Sequence, residues 1–144
     1  MACIRVLNSD AIDAALKGNT RQYLVGNLKM PQSLNHIHSE QIEIGITHYS
    51  ASGHTEAPHR HRNAFEFQYV VSGTTSYLDI ITGEEWTFRR GDFYVIEPGV
   101  EYAQKSGENT TILFIKIPAG NDKITVGLNP AVEEWFKAQI QGDK

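Results

Sequence analysis

The stretch Gly53-His-Thr-Glu-Ala-Pro-His59-Arg-His61-Arg-Asn-Ala-Phe-Glu66 places two imidazoles and one carboxylate within a short length of chain. On an extended strand successive side chains alternate between faces, so His59 and His61 are predicted to point the same way, roughly 6 to 7 Å apart. That separation suits two ligands of one ion. Imidazole nitrogen and carboxylate oxygen together favour a borderline divalent cation (Fe, Mn, Ni, Co or Zn) over calcium. The stretch therefore predicts one divalent metal ion at His59, His61 and Glu66.

Short strands with glycine-rich turns follow this stretch. The predicted strands cover residues 65–71, 74–81, 84–89, 92–97 and 110–117, with turns at Ser72-Gly73 and Thr82-Gly83. We expect successive strands to pair as antiparallel hairpins. Short strands at regular spacing, without intervening helices, favour a β-sandwich or a small barrel over a parallel α/β sheet.

The strand that carries Glu66 has one large apolar face. If Glu66 meets the ion, then Gln68 and Val70 face inward with it. The residues of opposite parity are Phe65, Phe67, Tyr69 and Val71. An apolar row of this size needs a cover, which a second sheet, a terminal segment or another subunit could supply. We expect a homodimer.

Two short helices are predicted outside the strands. The first covers Asp10 to Lys17, with Ser9 as its N-cap. The second covers about residues 130–140, because Asn129 is a good N-cap and Pro130 suits the first helical position. Its apolar face is expected to dock on the exterior of the barrel.

Composition limits the classes of function. With 144 residues and no break in composition, the chain is expected to be one domain, residues 1–144, with a core over about residues 40–118. A net charge of −4 argues against nucleic-acid binding. Because no apolar run approaches the ~18 residues of a membrane span and the start lacks the features of a signal peptide, we expect a cytoplasmic protein with a small-molecule ligand and no membrane partner. Cys3 is the only cysteine, which excludes an intrachain disulfide.

The histidine stretch resembles the first motif of the cupin superfamily. That motif runs Gly, five residues, His-x-His, three or four residues, Glu, six residues, Gly. The matching positions here are Gly53, His59, His61, Glu66 and Gly73. The resemblance implies an all-β fold, the double-stranded β-helix or jelly-roll barrel of a small, single-domain, RmlC-like cupin.

The second cupin motif runs Gly, five residues, Pro-x-Gly, two residues, His, and it is degenerate here. Gly91 and Gly99 match, but Glu97 stands at the proline position and Tyr102 at the histidine position. In the usual cupin site three histidines and the glutamate bind the metal. The resemblance therefore implies His59, His61 and Glu66 as ligands. It leaves three roles open for Tyr102: a phenolate ligand, a phenol beside the ion that donates a proton, or a substitution in a site that binds metal weakly or not at all.

Two further residues are candidates for proton transfer beside Tyr102. His48 continues the apolar row Ile42, Ile44 and Ile46, so it is either a core-edge histidine with a hydrogen-bond partner or a residue of the pocket. Glu97 is either a base near the ligands or a carboxylate at the rim, paired with an arginine.

Because cupins have many activities, the function must follow from the site. The leading hypothesis is an enzyme that uses its metal as a Lewis acid on a sugar or a sugar-acid-like carbohydrate, as an isomerase, epimerase or lyase. One alternative is an Fe(II)-dependent dioxygenase, since two histidines and one carboxylate leave positions for substrate and oxygen. Another is a non-catalytic small-molecule binding or sensor protein. Cupin epimerases that use a His and Tyr pair without metal offer a further comparison for Tyr102.

Overall fold

A computed structural model describes residues 1–138 and residue 140 of the chain. The described residues form two helices and eleven strands. The helices are α1 (Ser9–Leu16) and α2 (Pro130–Lys137), and the strands are β1 (Arg21–Gly26), β2 (Ile37–His38), β3 (Glu43–Tyr49), β4 (His54–His61), β5 (Phe65–Ser72), β6 (Thr74–Asp79), β7 (Glu85–Arg89), β8 (Phe93–Ile96), β9 (Tyr102–Ser106), β10 (Thr110–Ile117) and β11 (Lys123–Thr125).

The strands form two sheets that face each other. One sheet has six strands in the order β2-β1-β3-β10-β5-β8, and the other has five in the order β11-β4-β9-β6-β7. The pairs in these sheets are antiparallel, apart from the parallel pair of β1 and β2. Neighbours such as β3 and β10 are distant in sequence, because the chain passes repeatedly from one sheet to the other. The all-β jelly roll expected from the sequence is confirmed.

The connection from β5 to β6 corrects one prediction. The Ser72-Gly73 turn does not close a hairpin, because β5 pairs with β10 and β8 in one sheet while β6 pairs with β9 and β7 in the other. β6 and β7 do form the predicted hairpin. Alternation of apolar and polar residues identifies a strand, but it does not say in which of two sheets the strand lies.

Gly73 carries the chain between the sheets at a point of very close packing. Its φ of 80° lies in the left-handed region that favours glycine. A Cβ at this position would lie 2.5 Å from Cα of Thr110 and 2.3 Å from its Oγ1. Thr110 is fully buried, and its hydroxyl accepts a hydrogen bond from the N–H of Thr74. The crossing therefore requires a residue without a side chain.

β5 has the two faces that the sequence predicts. Gln68 and Val70 are buried, whereas Phe65, Tyr69 and Val71 are more than two-fifths exposed. Neighbouring side chains from β8 and β10 extend this exposed row. Together they form the outer apolar face: Phe65, Phe67, Tyr69, Val71, Phe93, Val95 and Ile117. The rings of Phe65, Phe67 and Phe93 stack in series, with centroids 6.5 and 6.2 Å apart.

Both predicted helices are present, with changes at their ends. The N-cap of α1 is Asn8 and not Ser9, because the Asn8 side chain accepts a hydrogen bond from the N–H of Ala11. Asparagine and serine are equally good N-caps, so preference alone could not choose between neighbours. α2 begins after Asn129 as predicted, but it ends at Lys137, short of residue 140.

The apolar face of α2 docks on the barrel exterior, as predicted. Val132 and Trp135 pack against Leu78 and Ala103 on the outer side of the five-stranded sheet. From the same side of this sheet, Nζ of Lys105 donates hydrogen bonds to the carbonyl oxygens of Trp135 and Ala138, which would otherwise lack partners at the helix end. No helix in the described part of the chain is long and apolar enough to cross a membrane.

Candidate functional site

The three predicted metal ligands meet in the space between the two sheets. His59 and His61 lie at the end of β4 in the five-stranded sheet, and Glu66 lies at the start of β5 in the six-stranded sheet. Residues 62–64 carry the chain across, so the histidines and the carboxylate line one cavity from facing sheets. Both histidines are buried, with ring centroids 5.3 Å apart.

A bulge in β4 brings a further acidic residue into this cavity. The register with β9 pairs Glu56 with Gln104 and His59 with Tyr102, so it shifts by one residue between them. Pro58, which has no N–H for the ladder, lies in the irregular segment. Strict alternation would place Glu56 and His59 on opposite faces, yet both line the cavity. Alternation alone therefore missed Glu56.

Hydrogen bonds fix the orientation of both imidazoles. Nδ1 of His59 lies 2.8 Å from the carbonyl oxygen of Ala57, and Nδ1 of His61 lies 2.8 Å from Oδ1 of Asp122. Because these partners accept, each Nδ1 donates, and Nε2 of the neutral ring keeps its lone pair. Burial lowers the pKa of His59 to about 4, which keeps that ring neutral. Nε2 of His61 is buried and has no hydrogen-bond partner among the described residues.

Asp122 ties His61 to the turn that separates the ligands. Its Oδ2 accepts hydrogen bonds from the N–H groups of Asn63 and Ala64, each at 2.8 Å. Although burial opposes ionisation, the hydrogen bonds from Asn63, His61 and Ala64 lower the pKa of Asp122 to about 2. A carboxylate behind a metal-binding imidazole fixes its ring and strengthens the free nitrogen as a ligand. Sequence reasoning missed Asp122 because 61 positions separate it from His61.

Tyr102 projects into the same group of side chains. Its hydroxyl lies 2.8 Å from Nε2 of His59 and 3.4 Å from Oε2 of Glu66. Burial raises the pKa of Tyr102 well above its ordinary value, and the Glu66 carboxylate raises it further. The side chain is therefore a protonated phenol that donates a hydrogen bond to His59. This position is compatible with each of the three predicted roles: a phenolate ligand that is deprotonated when a metal binds, a phenol that donates a proton, or a substitution in a site that binds metal weakly or not at all.

Gln68 links the Glu66 carboxylate to two more phenols. Its Nε2 donates to Oε2 of Glu66 at 2.8 Å, and its Oε1 accepts from the hydroxyls of Tyr77 and Tyr94 at 2.6 and 2.5 Å. Because the phenols occupy the amide oxygen, the amide nitrogen faces Glu66 and fixes its carboxylate. Burial raises the pKa of both tyrosines, so they remain protonated donors. The alternation of β5 predicted that Gln68 faces inward, but the nearby sequence did not predict that Tyr77 and Tyr94 donate hydrogen bonds to it.

The structure does not bring His48 or Glu97 to the cavity. His48 lies on the outer side of β3, whose alternate residues Thr47 and Tyr49 line the cavity, and its Nδ1 bonds to Oγ1 of Thr111 at 2.8 Å. Glu97 is exposed in the turn after β8 and forms no ion pair within the described residues. The prediction that either residue transfers protons at this site is corrected, because neither side chain lines the cavity.

The donor atoms suit a metal ion, although they are not spaced to enclose one. Within residues 1–138 and 140, no three His, Cys, Asp or Glu side chains are arranged to hold an ion. The Tyr102 hydroxyl lies between His59 and Glu66, so it must move or join the ligands when an ion binds. The buried Nε2 of His61 and the unprotonated Nε2 of His59 are the atoms that divalent metals take from imidazole. His59, His61 and Glu66 are therefore the residues that would hold the ion.

The cavity with these residues is small and opens into a larger one. The inner cavity, between the sheets, measures about 60 Å³, which has room for a few water molecules. The outer basin measures about 1230 Å³ and is lined in part by residues 27–33 and 119–121. Six residues line both spaces: Arg21, Tyr23, Glu43, His61, Lys116 and Lys123. A ligand thus reaches the histidines from the outer basin.

Comparison with known proteins gives one family match. The chain matches the family model described as the cupin domain over residues 45–116. The match contains the four residues of the site, His59, His61, Glu66 and Tyr102, and both sequence motifs. No curated protein sequence matches the chain.

Several solved structures are similar to this one. KdgF from Halomonas sp. is 17% identical, with 71% of this chain and 80% of that chain covered and a TM-score of 0.54. DMSP lyase DddQ from Ruegeria pomeroyi is 13% identical, with 74% and 50% covered and a TM-score of 0.55. The coconut allergen cocosin is 19% identical, with 59% and 24% covered and a TM-score of 0.50. The chain spans half of the lyase and about a quarter of the allergen, and at these identities the likeness shows the fold alone.

Proposed function

Since the chain belongs to the cupin family, whose domain model matches residues 45–116, we propose that it is a metal-dependent enzyme acting on a sugar or a sugar-acid-like molecule. His59, His61 and Glu66 hold one divalent ion, either Fe, Mn, Ni, Co or Zn. When bound, the ion polarises a carbonyl or hydroxyl group of the substrate. The reaction is an isomerisation, an epimerisation or an elimination.

The observation that carries this proposal is the buried Nε2 of His61, which has no partner among the described residues. A buried polar atom without a hydrogen bond costs about 1–3 kcal/mol. Asp122 holds Nδ1 of the same ring, so the ring cannot turn to satisfy Nε2 without losing that bond. A metal ion that accepts the lone pair removes the cost, and the same ion can bind Nε2 of His59 and the facing carboxylate of Glu66.

We assign proton transfer to Tyr102. Because burial and the Glu66 carboxylate raise its pKa, the phenol holds its proton in the resting site and acts first as a donor. Its hydroxyl lies beside both His59 and Glu66, so a substrate oxygen bound between these residues is within its reach. Gln68 and Asp122 act as positioning residues, since they fix Glu66 and His61.

The lining of the cavity supports an oxygen-rich substrate. Carboxylate, hydroxyl and amide groups of Glu56, Tyr49 and Gln104 line it beside the proposed ligands. The similar structure DddQ is a DMSP lyase. An elimination is one of the reactions proposed here, and it would need a group that polarises an oxygen and a phenol that moves a proton.

The His59–Tyr102 hydrogen bond favours a second candidate function. At 2.8 Å, imidazole and phenol form a pair that can transfer a proton without a metal. In that case the enzyme is an epimerase or isomerase that works by acid–base chemistry, and Glu66 only orients the phenol.

Elemental analysis of the native protein, combined with a Tyr102→Phe variant, tests the proposal. We expect about one divalent ion per chain in the native protein. We expect Y102F to retain the ion and to lose about 10²- to 10⁴-fold in turnover, the contribution of a general acid. Turnover is measured by NMR on a panel of sugar acids. Tyr69→Phe, which removes a hydroxyl from the outer apolar face, serves as the matched control.

Each alternative has its own outcome in this experiment. A metal-free native protein whose turnover is lost in Y102F indicates the His–Tyr pair. Oxygen consumption that requires Fe(II) indicates the dioxygenase. Binding of sugar acids without turnover, in native protein that contains its metal, indicates a sensor protein and contradicts the enzyme.

We further propose that two copies of the chain associate through the outer apolar face. Phe93 of this face lies on the edge strand β8, is 65% exposed and stacks on Phe67. A stable dimer buries about 800 Å² on each partner, and an unpaired charge in that contact opposes association. We expect Phe93→Asp to convert a dimer into a monomer in sedimentation velocity, while Ile81→Asp, at an exposed turn elsewhere, leaves the dimer intact. A monomeric wild-type protein would contradict the proposal.

A further inference from the structure

Six charged side chains line the inner cavity. They are Arg21, Lys116, Lys123, Glu43, Glu56 and Glu66. Arg21 forms an ion pair with Glu56, and Nζ of Lys116 lies 3.3 Å from Oε2 of Glu43. Glu66 accepts a hydrogen bond from Gln68. Lys123, whose side chain is exposed, is alone among the six in forming neither a salt bridge nor a side-chain hydrogen bond in the part of the chain that the structure describes.

β11 places Lys123 beside the proposed metal ligands. In the antiparallel pair of β11 and β4, Lys123 lies directly opposite His61 and Thr125 lies directly opposite His59. Opposite residues project from the same face of a sheet, with Cβ atoms roughly 4.5–5.5 Å apart. The Lys123 side chain lines both the inner cavity and the outer basin. It therefore stands where the two spaces meet.

The charge of Lys123 affects the ionisation of a carboxyl group inside the cavity. Burial alone would raise the pKa of Glu56, but Arg21 and, to a smaller extent, Lys123 lower it below its ordinary value. Since the other cations of the inner cavity are paired, Lys123 is the group left to attract an anion.

We propose that Lys123 binds a carboxylate of the substrate at the entrance of the inner cavity. This inference rests on the proposed function and narrows its substrate class to acids, to the exclusion of neutral sugars. Because the inner cavity holds only a few atoms, the carboxylate must lie within a few bonds of the reacting carbon. A 2-hydroxy or 2-keto acid has that arrangement, with its hydroxyl or carbonyl oxygen directed toward His61 and its carboxylate toward Lys123.

An NMR titration with glycolate, the smallest 2-hydroxy acid, tests this inference in the protein as purified. We expect Lys123→Met to raise the Kd for glycolate about 10- to 100-fold, the range for loss of one charged hydrogen bond. Lys123→Arg keeps the positive charge and is expected to retain most of the affinity. Lys137→Met removes the same charge from α2, outside the cavity, and is expected to leave the Kd unchanged.

Two further probes identify the group that is bound. Ethylene glycol, which lacks the carboxylate, is expected to bind weakly and equally to wild type and K123M. Inorganic phosphate is the competing anion. If K123M lowers phosphate affinity while glycolate affinity is unchanged, the carboxylate assignment is wrong. Equal glycolate affinity in wild type and K123M overturns the inference.

The result also separates this inference from the proposed function. Metal content is measured on the same samples, so that each titration is done at a known metal loading. A protein that holds no metal but binds glycolate through Lys123 contradicts the metal enzyme and supports the anion site. A metal-loaded protein that binds glycolate equally well with K123M contradicts the anion site and leaves the metal enzyme standing.

Discussion

Replacement of His61 by alanine is expected to lower the affinity of the protein for a divalent ion by more than a hundredfold. Structural zinc sites with four ligands bind with about 10–16 kcal/mol, so one ligand contributes roughly 3 kcal/mol. His61 supplies the one buried nitrogen of the site that has no other partner within the described residues. Competition with a chromogenic chelator measures the affinity, and thermal unfolding of the metal-free protein shows whether H61A keeps its fold.

Two matched variants make this result specific. Asp122→Asn removes the charge behind the His61 ring and is expected to cost about 10- to 100-fold in metal affinity, as loss of such a partner usually does. His38→Ala removes an exposed imidazole from β2, outside the cavity, and is expected to have no effect. A folded H61A protein with the metal affinity of wild type would contradict the assignment of His61 as a ligand.

Replacement of Gly73 by alanine is expected to lower the free energy of unfolding by about 2 to 5 kcal/mol. The left-handed backbone conformation costs about 1–2 kcal/mol for a residue with a Cβ. The contact with Thr110 adds about 1–3 kcal/mol, because the nearest atoms include its backbone Cα, which cannot rotate away. Urea denaturation, followed by tryptophan fluorescence, measures the change.

Gly83→Ala separates the two contributions. Gly83 has a similar φ of 78°, yet a Cβ there would meet no atom within 4 Å. We expect G83A to show only the backbone cost, about 1–2 kcal/mol. If G73A and G83A destabilise the protein equally, then the close approach to Thr110 contributes nothing and the explanation for Gly73 is wrong.

The features that were predictable from the sequence depend on short spacings. The strand that follows the histidines, its inward Gln68 and Val70, and the N-cap at Asn129 each depend on neighbours within a few positions. Such patterns reflect the local period of a strand or helix and survive in the folded protein. The pairing of strands in two sheets depends on contacts between distant residues, so the Ser72-Gly73 turn was misread as a hairpin.

His48 shows a second limit of alternation. Its strand has an apolar row that ends at His48 and a row of smaller or polar residues that includes Thr47 and Tyr49. Because apolar rows usually face the interior, the sequence left open whether His48 is a core-edge histidine with a hydrogen-bond partner or a residue of the pocket. The structure shows the first, with Thr111 as the partner. Here the interior near β3 is a polar cavity, lined by Thr47 and Tyr49, and the apolar row faces outward. Where a polar cavity replaces a packed core, the polar row of a strand faces inward and the apolar row faces outward.

The missed residues of the site are held by long-range contacts or irregular backbone. Asp122 precedes the short strand β11, and Lys123 begins that strand, whose sequence has no strong apolar or polar pattern. His61, which bonds to Asp122 and lies opposite Lys123, is distant in sequence. Glu56 faces inward only because the bulge at Pro58 shifts the register. Neither a strand period nor a motif encodes such features.

The contacts of Asp122 determine when, during synthesis, the side chains of the site are held in place. His59, His61 and Glu66 leave the ribosome together, but Asp122 follows His61 by 61 positions. Until Asp122 docks, the His61 ring is free to turn and the amides of Asn63 and Ala64 lack their acceptor. A nascent chain therefore presents two imidazoles that are not yet held in one orientation. If the site binds one divalent ion, as proposed, its full set of ligands is held in place only in the finished barrel.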